Sequence, residues 1–222
     1  YDALGRSIQE TAPDNSVSRT TYSGLAITQT NAKNQTRKVT KNSQGQVITV
    51  TDAQSKNITY TYDPFGNLAS TTDPQSNTVR FTYDLRGHRT QIADPDMGSW
   101  TYTYDALGQL IRQTDAKAQV STLTYDKLGR LTQRNEADLV STWYYDTAKS
   151  GSACGKSVGR LCESETSTGY DQKTTYDSFG RISSQATVID QPTPYASSAG
   201  YDNNGRMVTR TYPNGLILRY GY

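Results

Sequence analysis

The sequence predicts an all-β fold, an array of antiparallel β-hairpins with about two strands in each repeat. Three observations carry this. First, Tyr-Asp-x-x-Gly recurs with a fixed period. It stands at Tyr62, Asp63 and Gly66; at Tyr83, Asp84 and Gly87; at Tyr104, Asp105 and Gly108; and at Tyr125, Asp126 and Gly129, with the tyrosines 21 residues apart. Second, a further turn signal falls about halfway through each period. Third, the run before each tyrosine alternates between apolar and polar residues.

The motif extends beyond these four copies. Tyr1, Asp2 and Gly5 open the chain, while Tyr176, Asp177 and Gly180, and Tyr201, Asp202 and Gly205, carry it near the end. Worn copies fill the gaps: Tyr22 lacks the following Asp, and Lys41-Asn42-Ser43-Gln44-Gly45 keeps only the Gly. Residues 1–222 therefore read as one repeat array, a fragment of a longer one. Two irregular segments break the phase. The first is an inserted loop over 147–169 that holds both cysteines, between Tyr145-Asp146 and the next regular copy. The second is an excursion over 187–200 containing Pro192 and Pro194, which cannot sit in a central strand.

Within one repeat the elements follow in order. Asp105-Ala106-Leu107-Gly108 is a reversal: Asp folds its side chain onto backbone N–H groups and Gly supplies positive φ. Gln109 to Thr114 is a first strand. Asp115-Ala116-Lys117-Ala118 is the second turn, matched by Asp52-Ala53-Gln54, Asp73-Pro74-Gln75 and Asp94-Pro95-Asp96. Gln119 to Tyr125 is the second strand. In equivalent strands Ile58, Tyr60 and Tyr62 share one face, as do Val79, Phe81 and Tyr83, and Trp100, Tyr102 and Tyr104, which is the period-two pattern of a half-buried strand. Side-by-side hairpins advance roughly 10 Å per repeat. The motif tyrosines are then too far apart to touch, and side chains such as Leu110 and Leu131 are expected to fill the space between them. A parallel β-helix is the competing fold, and the Gly-bearing reversal in each repeat favours hairpins. No helical periodicity is present.

Composition narrows the function classes. Only 33% of residues are hydrophobic, and 17 tyrosines carry much of that load, so the sheet is thin and has no oily core. A net charge of +2, with the basic residues spread along the repeats, argues against nucleic acid. No run of 18 apolar residues exists to span a membrane.

These motifs resemble the YD repeat of the Rhs family, whose pattern Tyr-Asp-x-x-Gly-Arg-Leu is matched in full by Tyr125 to Leu131. The family includes bacterial Rhs proteins, the B and C components of insecticidal toxin complexes, and teneurins. The resemblance implies a curved or spiralling sheet that is part of a hollow β-shell. It also implies a structural role: enclosing a C-terminal toxin or other cargo polypeptide, with the rest of the shell and other toxin-complex or secretion components as partners. A secreted or cell-surface location follows from the same resemblance. The alternative it leaves open is a surface adhesion or carbohydrate-binding module. The family's self-cleaving signature is Asp-Pro-x-Gly-Leu. Asp63-Pro64-Phe65-Gly66 is followed by Asn67, and Asp94-Pro95 lacks the rest, so neither is assigned a protease role.

No catalytic, cofactor-binding or metal site is expected. His88, the single histidine, takes the slot after the motif Gly and reads as an exposed turn residue. The Asp63, Asp84, Asp105 and Asp126 row is too widely spaced to gather the six to eight oxygens that calcium needs, and turn formation accounts for it. Cys154 and Cys162, eight apart, permit a small disulfide loop, which implies an oxidising compartment. The other possibility is two free thiols in a protein made and loaded in the cytoplasm. The open edges of the sheet are expected to favour self-association.

Overall fold

A hairpin needs a reversal and two runs that accept extended backbone, and this chain supplies both every ten or eleven residues. The computed structural model describes residues 1–189 and 192–222, and these hold strands, bridges and turns but no helix. They form two compact units, Tyr1–Tyr102 and Thr103–Tyr222. The first holds β1 (Gln9–Thr11), β2 (Val17–Ser23), β3 (Ala26–Thr30), β4 (Thr36–Lys41), β5 (Val47–Thr51), β6 (Asn57–Tyr62), β7 (Leu68–Thr72), β8 (Thr78–Tyr83) and β9 (Arg89–Asp94). The division falls inside β10 (Gly98–Tyr104), whose first residues pair with β9. The second unit holds β11 (Leu110–Thr114), β12 (Val120–Tyr125), β13 (Leu131–Asn135), β14 (Val140–Tyr145) and β15 (Leu161–Thr166). It continues through β16 (Asp171–Tyr176), β17 (Ile182–Val188), β18 (Tyr195–Tyr201), β19 (Met207–Thr211) and β20 (Ile217–Arg219). Within each unit the strands form an antiparallel meander, each pairing with its neighbours in the chain.

Both turns of a repeat are built alike. In the motif turn the Gly66 N–H donates to the Asp63 carbonyl at 3.0 Å, and the Asp63 N–H to the Asn67 carbonyl at 2.9 Å. In the second turn the Ser55 N–H donates to the Asp52 carbonyl at 3.1 Å, and the Asp52 N–H to Lys56 at 3.0 Å. Each therefore needs positive φ at its fourth residue. Gly66 supplies it at 89° in the motif turn, but Ser55, Ser76 and Ala118 supply it in second turns, at 62°, 70° and 60°.

The two turns differ in register. At Tyr62 the pairing shifts by one residue, with Thr61 facing Ser70 and Tyr62 facing Leu68, and the same break recurs at Tyr83, Tyr125, Tyr145, Tyr176 and Tyr201. A bulge of this kind bends the strand and adds right-handed twist, so the distortion is placed once per repeat.

The alternation appears as expected. Along β6, Ile58, Tyr60 and Tyr62 are half-buried while Thr59 and Thr61 are exposed. Among the described residues, the hydrophobic side chains that reach full burial are Cys154 and Cys162. The packed face is a single layer of half-covered rings and aliphatics.

The irregular segments are shorter than the sequence indicates. Strand β15 begins at Leu161, so Cys162 lies on the array rather than in the insert, because the loop closes as soon as Gly159-Arg160 rejoins the repeat. Likewise β17 runs to Val188 and β18 starts at Tyr195, leaving Pro192 and Pro194 between strands. Asp190 and Gln191 of that excursion lie outside the described residues.

An L residue in the left-handed region is disfavoured by about 1–2 kcal/mol, partly offset by the unfolded-state entropy of Gly. Ala118→Gly is therefore expected to raise stability by about 0.5–1 kcal/mol in urea unfolding. Gly129→Ala, its counterpart in a motif turn, is expected to lower it by at least as much.

Candidate functional site

The residues of the motif converge on the junction between one repeat and the next. The carboxylate acts first. Asp126 Oδ1 accepts the N–H groups of Leu128 at 2.9 Å and Arg130 at 3.0 Å. Asp2, Asp63, Asp84, Asp105, Asp177 and Asp202 accept the corresponding pair in their own turns. Asn replaces Asp in two turns and makes the same bonds: Asn42 in a motif position and Asn31 in a second turn.

The tyrosine then ties that turn to the previous repeat. Tyr125 donates its hydroxyl to the backbone carbonyl of Leu110 at 2.9 Å. Tyr22 donates to Ser7, Tyr62 to Val47, Tyr83 to Leu68, Tyr176 to Leu161 and Tyr222 to Met207, each fifteen residues back, at 2.8–3.2 Å. Tyr201 reaches Ile182, nineteen back, because four extra residues stand in the excursion. Apart from Ser7, which precedes β1, the acceptor is the first residue of the strand after the preceding turn. The expectation that Leu110 fills the gap with its side chain misses this: its carbonyl oxygen is the contact, and the tyrosine spans the gap itself.

Arginine at the position after Gly completes the junction. Its Nε donates to its own Asp, at 2.7 Å in Arg6, 2.6 Å in Arg130, 2.7 Å in Arg181 and 2.8 Å in Arg206. The same guanidinium lies over the next copy's tyrosine ring. The distances are 4.0 Å for Arg6 on Tyr22, 4.5 Å for Arg130 on Tyr145, 4.3 Å for Arg181 on Tyr201 and 4.6 Å for Arg206 on Tyr222. Where both are present, as at Tyr22, Tyr201 and Tyr222, a hydrogen bond of about 1 kcal/mol and a cation–π contact of about 0.5–1 kcal/mol give the junction stabilisation on the order of 2 kcal/mol. Where Gln or Asn replaces Arg the side chain still crosses over: Gln46 Nε2 donates to the Gly66 carbonyl at 3.0 Å. His88, in this slot, is half-buried rather than exposed, with Nδ1 2.9 Å from Asp84 Oδ2. Its partner holds it in the turn.

One junction is rebuilt around an insertion. Asp146 and Gly159 are separated by thirteen residues instead of three. Even so, Gly159 N–H donates to Asp146 Oδ1 at 2.5 Å and Asp146 N–H to the Arg160 carbonyl at 2.9 Å. Ser157, fully buried, supplies the carbonyl that the Arg160 N–H needs and donates its hydroxyl to the Asp146 carbonyl. Arg130 grips the Asp146 carboxylate with both terminal nitrogens, at 3.2 and 2.7 Å. The looped-out residues lie back on the array. Cys154 and Cys162 are joined in a disulfide, with Cα atoms 5.8 Å apart. The Lys149 N–H donates to buried Glu163 at 2.9 Å, and its ammonium pairs with Glu165 at 2.8 Å. Tyr176 N–H donates to the Cys154 carbonyl at 2.8 Å. A Cβ at Gly155 would collide with the Tyr176 carbonyl, so only glycine fits there.

This geometry is that of a linker between repeats. Among the described residues no group of three His, Cys, Asp or Glu side chains is placed to hold a metal, and no helix is long and apolar enough to cross a membrane. The Asp2, Asp126 and Asp202 carboxyls lie below the ordinary value of 3.8, first because the backbone N–H of the following Arg bonds the charged form, then through its side chain.

Comparison with known proteins agrees with this layout. A family model described as Teneurin YD-shell matches residues 17–150. No curated protein matches the sequence. Among solved structures, a crystal structure of TcdB2-TccC3-Cdc42 is similar with a TM-score of 0.82 at 17% identity, over 100% of this chain and 14% of that one. TcdB2-TccC3 without its hypervariable C-terminal region gives 0.83 at 17%, over 100% and 13%. The Photorhabdus luminescens Tc holotoxin pore gives 0.78 at 16%, again over 100% and 13%. The chain thus spans about one seventh of the length of the structures it matches.

Two outcomes follow from the junction. Tyr125→Phe, which keeps the ring and removes the donor to Leu110, is expected to cost about 1 kcal/mol in chemical unfolding. Because the folded-state Asp values lie below the unfolded one, their stabilisation is fully present above 3.8 and is lost as pH falls through the folded values. The melting temperature is expected to be flat from neutral pH down to about pH 5 and to fall below about pH 4.

Proposed function

Because the chain belongs to the teneurin YD-shell family, we propose that it is a segment of shell wall whose work is steric and mechanical. It holds a continuous barrier around a cargo polypeptide and performs no chemistry of its own. The observation that supports this best is the repeated junction: the residues that recur most regularly are spent on joining one repeat to the next. Single junctions are weak, but in a repeat array nearest-neighbour terms accumulate along the chain. The result is a wall that resists local opening without a deep core.

The cargo is a C-terminal polypeptide of the same protein, and the other contacts are with the remainder of the shell. One matched structure is defined by lacking a hypervariable C-terminal region, and a variable C-terminal segment is the kind of cargo such a wall would enclose. The disulfide supports a secreted or cell-surface setting, since such bonds persist in oxidising compartments. Carbohydrate binding by the aromatic row is disfavoured by the arginines, because the rings of Tyr22, Tyr145, Tyr176, Tyr201 and Tyr222 each carry a guanidinium over one face.

The test uses the whole protein that contains this chain. Protease is added with the wall intact, and again after the junctions are weakened by combining Tyr62→Ala, Tyr83→Ala and Tyr125→Ala. The downstream polypeptide is expected to survive in the first case and be digested in the second. Digestion at the same rate in both would rule out encapsulation. An image of the intact particle in which this segment is not part of a continuous wall would rule out the structural role as well.

A further inference from the structure

One junction in the first unit lacks both partners of the ring–guanidinium stack. Lys41 faces Val47 after a register shift between Thr40 and Lys41, as Tyr62 faces Leu68 after a shift between Thr61 and Tyr62. Lys41 therefore stands where the repeat places tyrosine. The preceding turn is also short. Tyr22 pairs with Ile27 and Ser23 with Ala26, leaving a two-residue reversal at Gly24-Leu25 with no position for the motif arginine. The backbone still closes, with the Lys41 N–H donating to the Leu25 carbonyl at 3.0 Å. What is missing is the volume of a ring and its cation.

A cavity of about 320 Å³ opens at this place, lined by the two turns that flank the empty slot, with Tyr22, Gly24, Leu25, Lys41 and Asn42 on its walls and Arg6 at one side. Its size is at the lower end for small-molecule sites, about 300 Å³. Its charge is one-sided. Arg6 is paired with Asp2 at 2.6 Å and stacked on Tyr22. Lys41 has no ion pair among the described residues, and no carboxylate lines the cavity. Leu25 remains exposed beside it.

We propose that this notch is a binding site for a small aromatic anion, an aryl phosphate or aryl carboxylate. The ring takes the place of the absent tyrosine between the turns at 22–27 and 41–46. The negative group meets the Lys41 ammonium, with the Arg6 guanidinium beside it. An aromatic ring without charge leaves Lys41 unanswered, and a bare anion leaves the apolar volume beside Leu25 open.

The test is an NMR titration of the intact chain with phenyl phosphate, benzoate and inorganic phosphate. Saturable shifts are expected at Tyr22, Leu25 and Lys41 with one or both aryl anions, and binding about tenfold weaker with inorganic phosphate. Lys41→Tyr restores the repeat's own ring. It is expected to abolish binding while keeping the spectrum of the folded array and raising its melting temperature. Lys41→Gln, which alters charge alone, is expected to weaken binding about tenfold and decides the matter if Lys41→Tyr does not fold. Lys56→Ala, on an exposed turn outside the notch, is expected to leave binding unchanged. Absence of saturable shifts with both aryl anions would overturn the proposal. So would equal binding of inorganic phosphate, unchanged affinity in the Lys41 variants, or an equal loss in Lys56→Ala.

Discussion

The hydrogen bond from the motif tyrosine to a carbonyl of the previous repeat, made by Tyr22, Tyr62, Tyr83, Tyr125, Tyr176, Tyr201 and Tyr222, is the constraint on which the array depends. The ladder of an antiparallel sheet joins strands but is blind to sequence, and one strand could slide past another if nothing marked the position. The tyrosine supplies that mark. Its hydroxyl finds the first carbonyl after the preceding turn, and a slip of one residue would move the ring to the other face. The arginine above the ring then fixes the neighbouring turn on the other side. Register, spacing between turns and coverage of the packed face therefore rest on the same ring.

That dependence explains why motif turns keep glycine while second turns accept other residues in several copies. Both need positive φ at the fourth residue, and Ser55, Ser76 and Ala118 tolerate it. The motif turn carries a second demand. A Cβ at Gly66 would lie 3.2 Å from Gln46 Nε2, one at Gly129 3.0 Å from Gln109 Nε2, and one at Gly180 3.0 Å from the Arg160 guanidinium. The side chain that crosses from one turn to the next passes over the glycine. Second turns have no such crossing, so backbone conformation is the one cost a side chain meets there.

Much of the fold was legible in the sequence because its signals are local. The 21-residue period, the paired turn signals and the Ile58-Tyr60-Tyr62 alternation each lie within a few residues, and turn chemistry converts them into hairpins. The junction was less legible. The contact of Tyr125 with Leu110 spans a turn and two strands, and depends on a register that becomes known only when the strands are paired. The regular fifteen-residue offset between tyrosine and acceptor is the signal that could have found it. The double role of arginine was hidden for another reason. A residue after a glycine reads as the start of a strand, and nothing in its own neighbourhood shows that the next tyrosine lies beneath it. Gly159-Arg160-Leu161 reads in the sequence as the resumption of the copy that Tyr145-Asp146 begins. The bounds 147–169 nevertheless run past it into β15, because the next complete Tyr-Asp-x-x-Gly copy stands only at Tyr176, so Cys162 falls inside them.

The rebuilt junction at Asp146 shows how little of the motif is indispensable. Ten residues more than in a regular copy separate Tyr145 from its pairing partner Leu161, yet the Asp146 N–H still reaches the arginine carbonyl, and the glycine N–H, which elsewhere donates to the aspartate carbonyl, here donates to its carboxylate. Closing a longer loop costs only slowly more entropy as it grows, but a loop that size no longer holds its own ends in place. Three devices compensate. The carbonyl of buried Ser157 accepts the Arg160 N–H, which in regular copies goes to the aspartate's own carboxylate. The disulfide ties the loop to β15, restricting the unfolded chain by roughly 2–3 kcal/mol in the entropic account. Gly155 lets the loop backbone lie against Tyr176 in the following repeat. The insertion thereby bonds to three consecutive elements of the array, at the one junction where the local turn alone could not have held the register.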